Sequence, residues 1–349
     1  MFDTEGYSDH ERVTWLHDAA TGLRAVIAVH SSARGPAMGG CRLWCYPDPA
    51  AALADALRLS EGMSLKNAMA DLPLGGGKAV ILGPLPGGAG RAAAFRAFGR
   101  AIESMGGRYV TAEDVGVGVA DMAEIAVETR HVSGVTAAGG VGGDPSPYTA
   151  RGVLRGIAAA ARQALGRSDL DRLRVGVQGV GNVGGALARL LAEQGARLSV
   201  ADIDPVRQAR IADETGADIA GLEEVLTADL DVLAPCALGG AITAPVAATL
   251  RARIVAGAAN NQLATPEAGE ILHRRGVTYV PDYVANAGGI IAVGAEYLGQ
   301  GSAATVLADV DAIGPRIAAL LARSAAEATP PEVIADRMAR EIIAAARGA

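Results

Sequence analysis

Short apolar stretches alternate along the chain with longer segments in which apolar residues recur at helical spacing. Residues 22–30 (GLRAVIAVH), 78–82 (KAVIL) and 174–178 (RVGVQ) have the composition of buried strands. Residues 48–70 carry alanine and leucine at helical spacing, and residues 91–106 form a second helical pattern that ends in glycine. Strands and helices that alternate in this way predict an α/β fold.

A loop rich in glycine and proline, residues 139–149 (GGVGGDPSPYT), separates two regions of the chain. A chain of 349 residues is long enough for two domains, and we place their boundary in this loop. Residues 1–144 and the C-terminal helix at 321–349 are predicted to form one domain, and residues 145–320 the other. We expect a cleft between these two domains.

The second region contains a strand, a glycine turn, a helix and another strand in direct succession. Gly179, Gly181 and Gly184 form a G-x-G-x-x-G pattern between strand and helix, and Asp202 ends the next strand. In dinucleotide-binding proteins the first glycine permits the tight turn, the second lets the backbone approach the pyrophosphate, and the third lets the helix pack closely on the sheet. The acid binds the adenosine ribose. The pattern predicts a Rossmann-type domain that binds NAD, although Arg207 leaves NADP open. A glycine turn without a ligand is the alternative, and the register of strand, helix and acid argues against it.

Composition and charge narrow the class of protein. The formal net charge is −7, which argues against a nucleic-acid-binding protein because such a protein needs clustered basic residues. No run of about 18 apolar residues occurs and the first segment is polar and acidic, which predicts a cytoplasmic protein without a membrane span. Cys41, Cys45 and Cys236 are too few for a disulfide framework. They lack a second cysteine pair or clustered histidines, so we predict no metal site.

The segment 72–80 (LPLGGGKAV) places three glycines directly before a lysine. A phosphate-binding loop of the form G-x-x-x-x-G-K-[ST] needs a hydroxyl after the lysine to hold Mg²⁺, and Ala79 stands there instead. The glycines are also bunched rather than spread around a turn. We therefore expect them to let Lys78 come close to another group, not to cradle a phosphate.

The 31 basic residues are mostly arginine, and two lysines, Lys66 and Lys78, lie in apolar segments. A buried lysine loses its proton when desolvation and a second ammonium lower its pKa, whereas arginine stays charged. Lys78 and Asp114 are both predicted next to strand ends, where α/β sheets carry their chemistry. Taken alone, Lys66 also fits a residue that snorkels from a helix face.

Eight blocks of the sequence, in the same order, resemble the amino-acid dehydrogenases of the Glu/Leu/Phe/Val group, most closely its leucine, valine and phenylalanine dehydrogenases. The blocks are residues 35–44 (GPAMGGCRLW), 61–80 (EGMSLKNAMADLPLGGGKAV), 108–116 (RYVTAEDVG), 144–153 (DPSPYTARGV), 177–185 (VQGVGNVGG), 234–240 (APCALGG), 256–263 (AGAANNQL) and 281–289 (PDYVANAGG). The resemblance runs from about residue 17 to about residue 340. It implies a reversible oxidative deamination in which an L-amino acid, NAD and water give a 2-oxo acid, ammonium and NADH.

The resemblance also implies roles for residues of the first domain, which would be the catalytic domain. Lys66 matches the lysine that pairs with the substrate α-carboxylate, and the backbone of Gly39 and Gly40 matches the turn that lies against it. Lys78 matches the catalytic lysine, which as a neutral amine activates water to attack the imino carbon. Asp114 matches the acid that relays protons to and from the substrate nitrogen.

Four apolar residues, Met38, Ala112, Ile290 and Val293, correspond by resemblance to the wall of the side-chain pocket. They offer no charge to a glutamate side chain, so glutamate is expected to be rejected. Ala112 with two β-branched residues suits a short branched chain, which predicts leucine, valine and isoleucine as substrates. Phenylalanine is the alternative substrate, because the VANAGG segment also resembles some phenylalanine enzymes.

Asn261, with Asn260 beside it, matches the segment between the nicotinamide and the substrate. The other cofactor-binding residues implied by the resemblance are Thr149, Gly179, Val180, Gly181, Asn182, Val183, Gly184, Asp202, Ile203, Cys236, Ala237 and Asn286. The ligands are thus expected to be small molecules, with no nucleic acid or membrane as partner. We also expect a homo-oligomer.

The chain departs from the family pattern at two places. Asp144 stands where members commonly have asparagine before PSP, and Val117 and Gly118 stand where they commonly have two threonines after EDVG. These changes bear on loop hydrogen bonds near the cofactor, and so on cofactor affinity more than on the reaction. A nucleotide-sensing regulator without turnover is the rival interpretation, and the presence of both lysines and the acid argues against it.

Overall fold

The computed structural model describes residues 2–135, 144–299 and 302–348, which divide into two compact units. The first unit comprises Met1–Gly143, Ala292–Val306 and Ala339–Ala349, and the second comprises Asp144–Ile291 and Leu307–Met338. Each unit has its own β-sheet with helices packed on it, so the predicted α/β class is confirmed.

The first unit contains a five-stranded mixed sheet. Its elements in chain order are β1 (Arg12–Asp18), β2 (Leu23–Ser31), β3 (Ala37–Trp44), α1 (Pro49–Met69), β4 (Gly75–Leu82), α2 (Ala89–Glu103), β5 (Tyr109–Glu113) and α3 (Val119–Ala126). The strands lie in the order β1-β2-β4-β3-β5. β3 is parallel to β4 and β5, whereas β2 is antiparallel to β1 and β4. The sequence pattern did not single out β1 or β3 as strands.

Helices cover both faces of this sheet. α1 begins at Pro49 because the Asp48 side chain accepts a hydrogen bond from the N–H of Ala51 at 2.8 Å. Alanine and leucine side chains of α1 pack against β2 and β4 on one face. Phe95 and Phe98 of α2 are fully buried against the other face. The predicted helices at 48–70 and 91–106 therefore exist close to their predicted bounds.

The glycine run lies inside β4 and not before it. A Cβ at Gly76 would lie only 2.0 Å from the backbone nitrogen of Ser64, so α1 and β4 can touch because no side chain separates them. Lys78 consequently lies in the interior of β4, opposite Ala28 of β2. Its predicted position at a strand end was wrong, because tertiary packing overrides the turn preference of glycine. Asp114 does follow the last residue of β5 directly.

Two histidines are buried at the contact between α1 and the sheet. Nδ1 of His30 lies 2.8 Å from the Ser64 hydroxyl, and its ring lies 5.0 Å from that of His10. Burial, with a smaller contribution from His10, lowers the pKa of His30 to about 4. The folded protein therefore keeps His30 neutral under conditions in which an exposed histidine takes up a proton.

We expect the free energy of unfolding to fall as the pH is lowered from about 6.5 to about 4. Between these pH values the unfolded chain binds a proton at residue 30 and the folded chain does not. The contribution of His30 to the free energy of unfolding is therefore fully present above pH 6.5 and is lost as the pH falls below it. The loss due to His30 is on the order of 3 kcal/mol. Urea denaturation at a series of pH values measures it.

The control is a change of an exposed histidine on β1, His17→Asn. His30→Asn keeps a polar atom near Ser64 and should flatten the dependence of unfolding free energy on pH, whereas His17→Asn should leave it as in the parent. The same slope in all three proteins would contradict the assignment to His30.

The second unit contains a six-stranded parallel sheet. Its strands are β6 (Arg174–Gln178), β7 (Arg197–Ala201), β8 (Asp218–Ile219), β9 (Val232–Pro235), β10 (Ile254–Val255) and β11 (Thr278–Tyr279). They lie in the order β11-β10-β9-β6-β7-β8, and neighbouring strands pair in parallel. With β6 as the first strand this is the strand order of a Rossmann fold, as predicted.

The later helices complete the chain. They are α4 (Ser146–Leu165), α5 (Asn182–Glu193), α6 (Pro205–Thr215), α7 (Leu222–Thr227), α8 (Ala244–Thr249), α9 (Pro266–Arg274), α10 (Asp282–Ala285), α11 (Gly288–Leu298), α12 (Ala303–Asp311), α13 (Ile313–Glu327) and α14 (Pro331–Arg347). In the part of the chain that the structure describes, no helix combines the length and apolar character needed to span a membrane.

The unit boundaries differ in part from the predicted domain boundaries. The first segment of the first unit ends at Gly143, next to the predicted boundary, and residues 139–143 of the boundary loop lie outside the described residues. Residues 321–338 were predicted to accompany the first domain but belong to the second unit. There α13 packs against α4, with Ile317 beside Gly156.

A second difference concerns residues 292–306, which were predicted within the second domain but belong to the first unit. Hydrogen bonds account for this: the Ser133 hydroxyl lies 2.8 Å from the Val293 carbonyl oxygen, and Glu296 accepts the N–H of Gly134 at 3.0 Å. These contacts join segments that are about 160 positions apart in the chain. Sequence patterns do not report such pairings.

Candidate active site

In the first unit, Lys78 and Asp114 form a mostly buried ion pair. Nζ of Lys78 lies 2.6 Å from Oδ2 of Asp114, and the two side chains are 7% and 22% exposed. Burial lowers the pKa of Lys78 more than the adjacent carboxylate raises it. Burial also opposes ionisation of Asp114, but Lys78 and Arg42 together outweigh it and hold the pKa of Asp114 below its usual value. The pair thus combines an amine that loses its proton more readily than an exposed lysine with a carboxylate that ionises more readily than an exposed one.

Arg42, which the sequence analysis did not single out, is a second cation at Asp114. Its Nε lies 3.1 Å from Oδ2 of Asp114, and its Nη1 lies 2.9 Å from Oδ2 of Asp55 in α1. Tyr46 donates its hydroxyl hydrogen to the same oxygen of Asp55 at 2.5 Å. The sequence does contain a feature that marks Arg42 as a candidate site residue: it is a charged residue between apolar residues, two positions after Gly40.

Gly40 lets β3 lie close to the end of β5. A Cβ at Gly40 would lie 2.7 Å from the carbonyl oxygen of Glu113 and 2.9 Å from the Cβ of Asp114. The β3–β4 ladder is interrupted at Gly39 and Gly40, and Tyr109 donates its hydroxyl hydrogen to the Gly39 carbonyl at 2.8 Å. Gly39 and Gly40 were predicted to form a turn, and this was wrong: both lie inside β3, where Gly40 is beside Asp114.

Lys66 lies in the last turn of α1 and is half-buried. The next residue, Asn67, is fully buried and donates its side-chain amide to the carbonyls of Met38 at 3.3 Å and Gly75 at 2.6 Å. Asn67 was not predicted to have a role. It joins the end of the helix that carries Lys66 to β3 and β4.

The predicted pocket residues are apolar and differ in burial. Met38 is fully buried and Ala112 is 8% exposed, both in the first unit. Val293, also in the first unit, and Ile290, in the second, are half-buried. None of the four side chains could pair with a carboxylate, and the fully buried Met38 exposes no surface.

In the second unit, the glycine fingerprint has the backbone geometry that a dinucleotide requires. Gly179 has a φ of +88°, which serves the turn after β6. No described atom lies within 4 Å of a Cβ built at Gly181, whereas a Cβ at Gly184 would lie 1.9 Å from the Gly179 carbonyl oxygen. α5 begins at Asn182, followed by Val183, and its first N–H groups can bind an anion. These residues fit a bound pyrophosphate.

Asp202 is held by the glycine loop. Its Oδ2 accepts the N–H of Val180 at 2.7 Å, and its Oδ1 accepts the N–H of Asp204 at 2.9 Å. The side chain is 4% exposed, and Nη1 of Arg207 lies 3.4 Å from Oδ1. A carboxylate oxygen accepts more than one hydrogen bond, so these contacts do not use up the acceptor capacity of Asp202, and its role toward the ribose hydroxyls stays a prediction.

Three asparagines lie together in the second unit. Asn286 donates its side-chain amide to Oδ1 of Asn260 at 2.9 Å and to the Ala258 carbonyl at 3.1 Å. Asn261 has a φ of +54°, and its carbonyl accepts the N–H of Gly240 at 2.7 Å. Left-handed backbone at a residue other than glycine is uncommon and concentrates at ligand-binding segments. Asparagine adopts this backbone more easily than most residues, so the role of Asn260 and Asn261 beside the nicotinamide stays a prediction.

The remaining predicted cofactor residues also lie in the second unit. Cys236 and Ala237 follow β9 and border the glycine loop. A Cβ built at Gly184 would lie close to Cys236, and one built at Gly179 would lie close to Ala237. Ile203, directly after Asp202, is 83% exposed. Thr149 lies in the first turn of α4, where its hydroxyl donates to the Pro145 carbonyl at 3.2 Å.

The residues that depart from the family pattern have local structural roles. Asp144 accepts the N–H of Ser146 at the start of α4, at 2.9 Å. Val117 is buried in the core of the first unit. Gly118 precedes α3 and donates its N–H to Asp121 at 3.0 Å. These contacts are separate from the ion pair of Lys78 and Asp114.

Among the described residues, no group of three or more His, Cys, Asp and Glu side chains could hold a metal ion. Cys41 is buried and Cys45 is exposed, although they are only four positions apart. Burial raises the pKa of the Cys41 thiol, so Cys41 acts as an apolar core residue.

Family models match nearly the whole chain. One described as "Glu/Leu/Phe/Val dehydrogenase, dimerisation domain" matches residues 10–131, and one described as "Glutamate/Leucine/Phenylalanine/Valine dehydrogenase" matches residues 139–225 and 199–326. The leucine dehydrogenase of Geobacillus stearothermophilus is 46% identical over 341 residues, which cover 98% of this chain and 92% of that protein. The valine dehydrogenase of Streptomyces albus is 44% identical over 348 residues, which cover 97% and 93%.

A solved structure is similar in fold as well. The L-tryptophan dehydrogenase of Nostoc punctiforme superposes with a TM-score of 0.88 at 36% identity, and the match covers 98% of each chain. The similarity in sequence and in fold thus extends over both units.

Proposed function

Because the chain belongs to the Glu/Leu/Phe/Val dehydrogenase family, we propose that it catalyses the reversible, NAD-dependent oxidative deamination of a branched-chain L-amino acid. In this reaction the amino acid, NAD⁺ and water give the 2-oxo acid, ammonium, NADH and a proton. The observation that carries the proposal is the buried ion pair of Lys78 and Asp114, whose atoms lie 2.6 Å apart. Such a pair supplies the base and the proton relay that imine formation and hydrolysis require.

Lys78 acts as the general base in this proposal. As a neutral amine it accepts a proton from the water that attacks the imino carbon. Burial lowers the pKa of Lys78, so a larger fraction of it is neutral at a given pH than of an exposed lysine. Asp114 takes a proton from the substrate amine and returns it to the departing nitrogen.

The amino acid is bound by the first unit and the cofactor by the second. Lys66 pairs with the α-carboxylate, and the backbone of Gly39 and Gly40 lies against it. When bound, NAD supplies the acceptor for the hydride that leaves the α-carbon. Support for this assignment comes from the open position at Gly181 and from Asp202, which retains acceptor capacity beside the glycine loop.

An aliphatic substrate side chain is supported by relatives and by residue chemistry. Proteins named leucine and valine dehydrogenase are 46% and 44% identical to this chain. The four predicted pocket residues, Met38, Ala112, Ile290 and Val293, are all apolar. A glutamate carboxylate among them would lose hydration without gaining a partner, which is unfavourable by several kcal/mol, roughly 2–7 for a polar group.

The test is kcat/KM with NAD for leucine, valine, isoleucine, phenylalanine, tryptophan and glutamate, followed by NADH absorbance. We expect an aliphatic substrate to exceed the aromatic ones by about tenfold or more, which corresponds to ~1.4 kcal/mol of transition-state stabilisation. An aromatic substrate that wins by the same margin would replace the aliphatic assignment and retain the reaction. No NADH from any amino acid would overturn the reaction itself.

Assembly and location complete the proposal. We infer a homo-oligomer, since residues 10–131 match a model described as a dimerisation domain. The cytoplasmic location expected from the sequence stays a prediction.

A further inference from the structure

We propose that Arg42 is a positioning residue that holds the Asp114 carboxylate against Lys78, and that Asp55 and Tyr46 hold Arg42 in turn. The inference rests on the proposed function, because it assigns Asp114 the proton relay. It adds three residues to the machinery that neither the sequence pattern nor the comparisons single out.

Arg42 bridges two carboxylates with two different nitrogens. Nε lies 3.1 Å from Oδ2 of Asp114, and Nη1 lies 2.9 Å from Oδ2 of Asp55. Nζ of Lys78 lies 2.6 Å from the same oxygen of Asp114. One carboxylate oxygen therefore meets two cations, one from β4 and one from β3. The side chains of Arg42, Asp55 and Asp114 are 22%, 15% and 22% exposed, which limits screening by water.

Asp55 is itself fixed from two sides. The Tyr46 hydroxyl donates to its Oδ2 at 2.5 Å, and Nη2 of Arg58 lies 2.7 Å from its Oδ1. Asp55 belongs to α1, the helix whose last turn carries Lys66. Arg42 thus ties Asp114 to a rigid helix, and a proton-relay group held by a rigid element keeps its geometry during turnover.

The two cations at Asp114 differ in one chemical property that matters for turnover. Lys78 must become neutral to act as a base, and at that moment it no longer neutralises Asp114. Arg42 cannot lose its proton in a protein, so its charge persists through the cycle. Arg42 therefore keeps Asp114 ionised and in place in the state in which Lys78 is an amine.

A lysine at position 42 would not reproduce this arrangement. An ammonium is a single point of charge, whereas the guanidinium presents separate N–H groups in a planar fork that reaches both carboxylates. We therefore expect Arg42→Lys to retain the electrostatic part of the effect and to lose part of the positioning.

The experiment compares full-length Arg42→Gln, Arg42→Lys and Asp55→Asn with the parent, by kcat and KM for leucine across pH and by NADH titration. Arg42→Gln should lower kcat by about 10²-fold, the loss that a misplaced reacting group causes, with NADH affinity unchanged. In this variant the acidic limb of the dependence of kcat on pH should move to higher pH. Two cations contact Asp114, Lys78 of β4 and Arg42 of β3, and the loss of one of them raises the pKa of Asp114. Arg42→Lys should restore most of the pH profile and part of kcat.

The matched control is Arg96→Gln, which removes an arginine of the same unit that is paired with Glu124 at 2.6 Å. It should keep kcat and the pH profile. Arg42→Gln with kcat within threefold of the parent and an unmoved profile would overturn the inference. Should Arg42→Gln fail to fold, Asp55→Asn decides: a lower kcat with normal NADH affinity supports the inference, and parent kinetics overturn it.

Failure of this inference is distinguishable from failure of the proposed function. Lys78→Ala is measured in the same series. No NADH from the parent protein with any amino acid would remove the proposed function and the inference together. An inactive Lys78→Ala variant beside a normal Arg42→Gln variant would remove only the role of Arg42.

Discussion

Lys78→Ala is expected to lower kcat for oxidative deamination by about 10³-fold or more, within the range that general acid–base groups contribute. The variant removes the amine that takes a proton from the attacking water, and alanine offers no replacement. Because β4 pairs with strands on both sides, the substitution removes a side chain without changing the ladder. Stopped-flow or steady-state NADH absorbance measures kcat, and NADH fluorescence titration should show unchanged cofactor affinity.

Two further variants test whether Lys78 acts as a base, and not only as a positive charge, and whether Lys66 acts in substrate binding. Lys78→Arg keeps a positive charge beside Asp114 and should be nearly as inactive as Lys78→Ala, because arginine does not lose its proton. Lys66→Ala should instead raise KM for the amino acid far more than it lowers kcat, since Lys66 is assigned to the α-carboxylate. A Lys78→Arg variant with parent-like kcat would show that Lys78 acts through its charge alone.

Gly76→Ala is expected to destabilise the first unit by more than about 3 kcal/mol, the upper end of typical overpacking losses. The new Cβ would lie 2.0 Å from the backbone nitrogen and 2.2 Å from the hydroxyl oxygen of Ser64. Backbone atoms in a helix cannot move aside alone, so α1 would have to separate from β4. Urea denaturation followed by circular dichroism measures the unfolding free energy, and kcat should fall with it because Lys78 is two residues further along β4.

The control for this prediction lies in α1. A Cβ at Gly62 would meet no described atom within 4 Å, and Gly62 lies inside the helix. Gly62→Ala should therefore stabilise the protein by roughly 0.5–1 kcal/mol, the helix preference of alanine over glycine. Equal unfolding free energies for Gly76→Ala and the parent would mean that the close contact between α1 and β4 does not exist in solution.

Local sequence determined the parts of this protein whose structure depends on neighbours in the chain. The bounds of β6 were predicted to the residue, and α5 begins at Asn182, directly after the second glycine of the fingerprint, because a strand, a turn and a helix N-terminus each have short-range signals. Residues 48–70 were predicted to form one helix or two, and they form the single helix α1, whose start is marked by Asp48 and a proline. Lys66, Lys78 and Asp114 stood out because charge in an apolar segment is visible without a structure.

Only the tertiary structure decided how distant segments meet. The glycine run reads locally as a turn, yet it forms the start of β4 because α1 passes so close to Gly76 that a side chain would collide. Arg42 reaches Asp114 across 72 positions in sequence because β3 lies between β4 and β5. The allocation of residues 292–306 to the first unit likewise depends on Ser133 and Glu296. Such pairings arise from sheet order and packing between remote residues, and neither leaves a periodic or local signal in the chain.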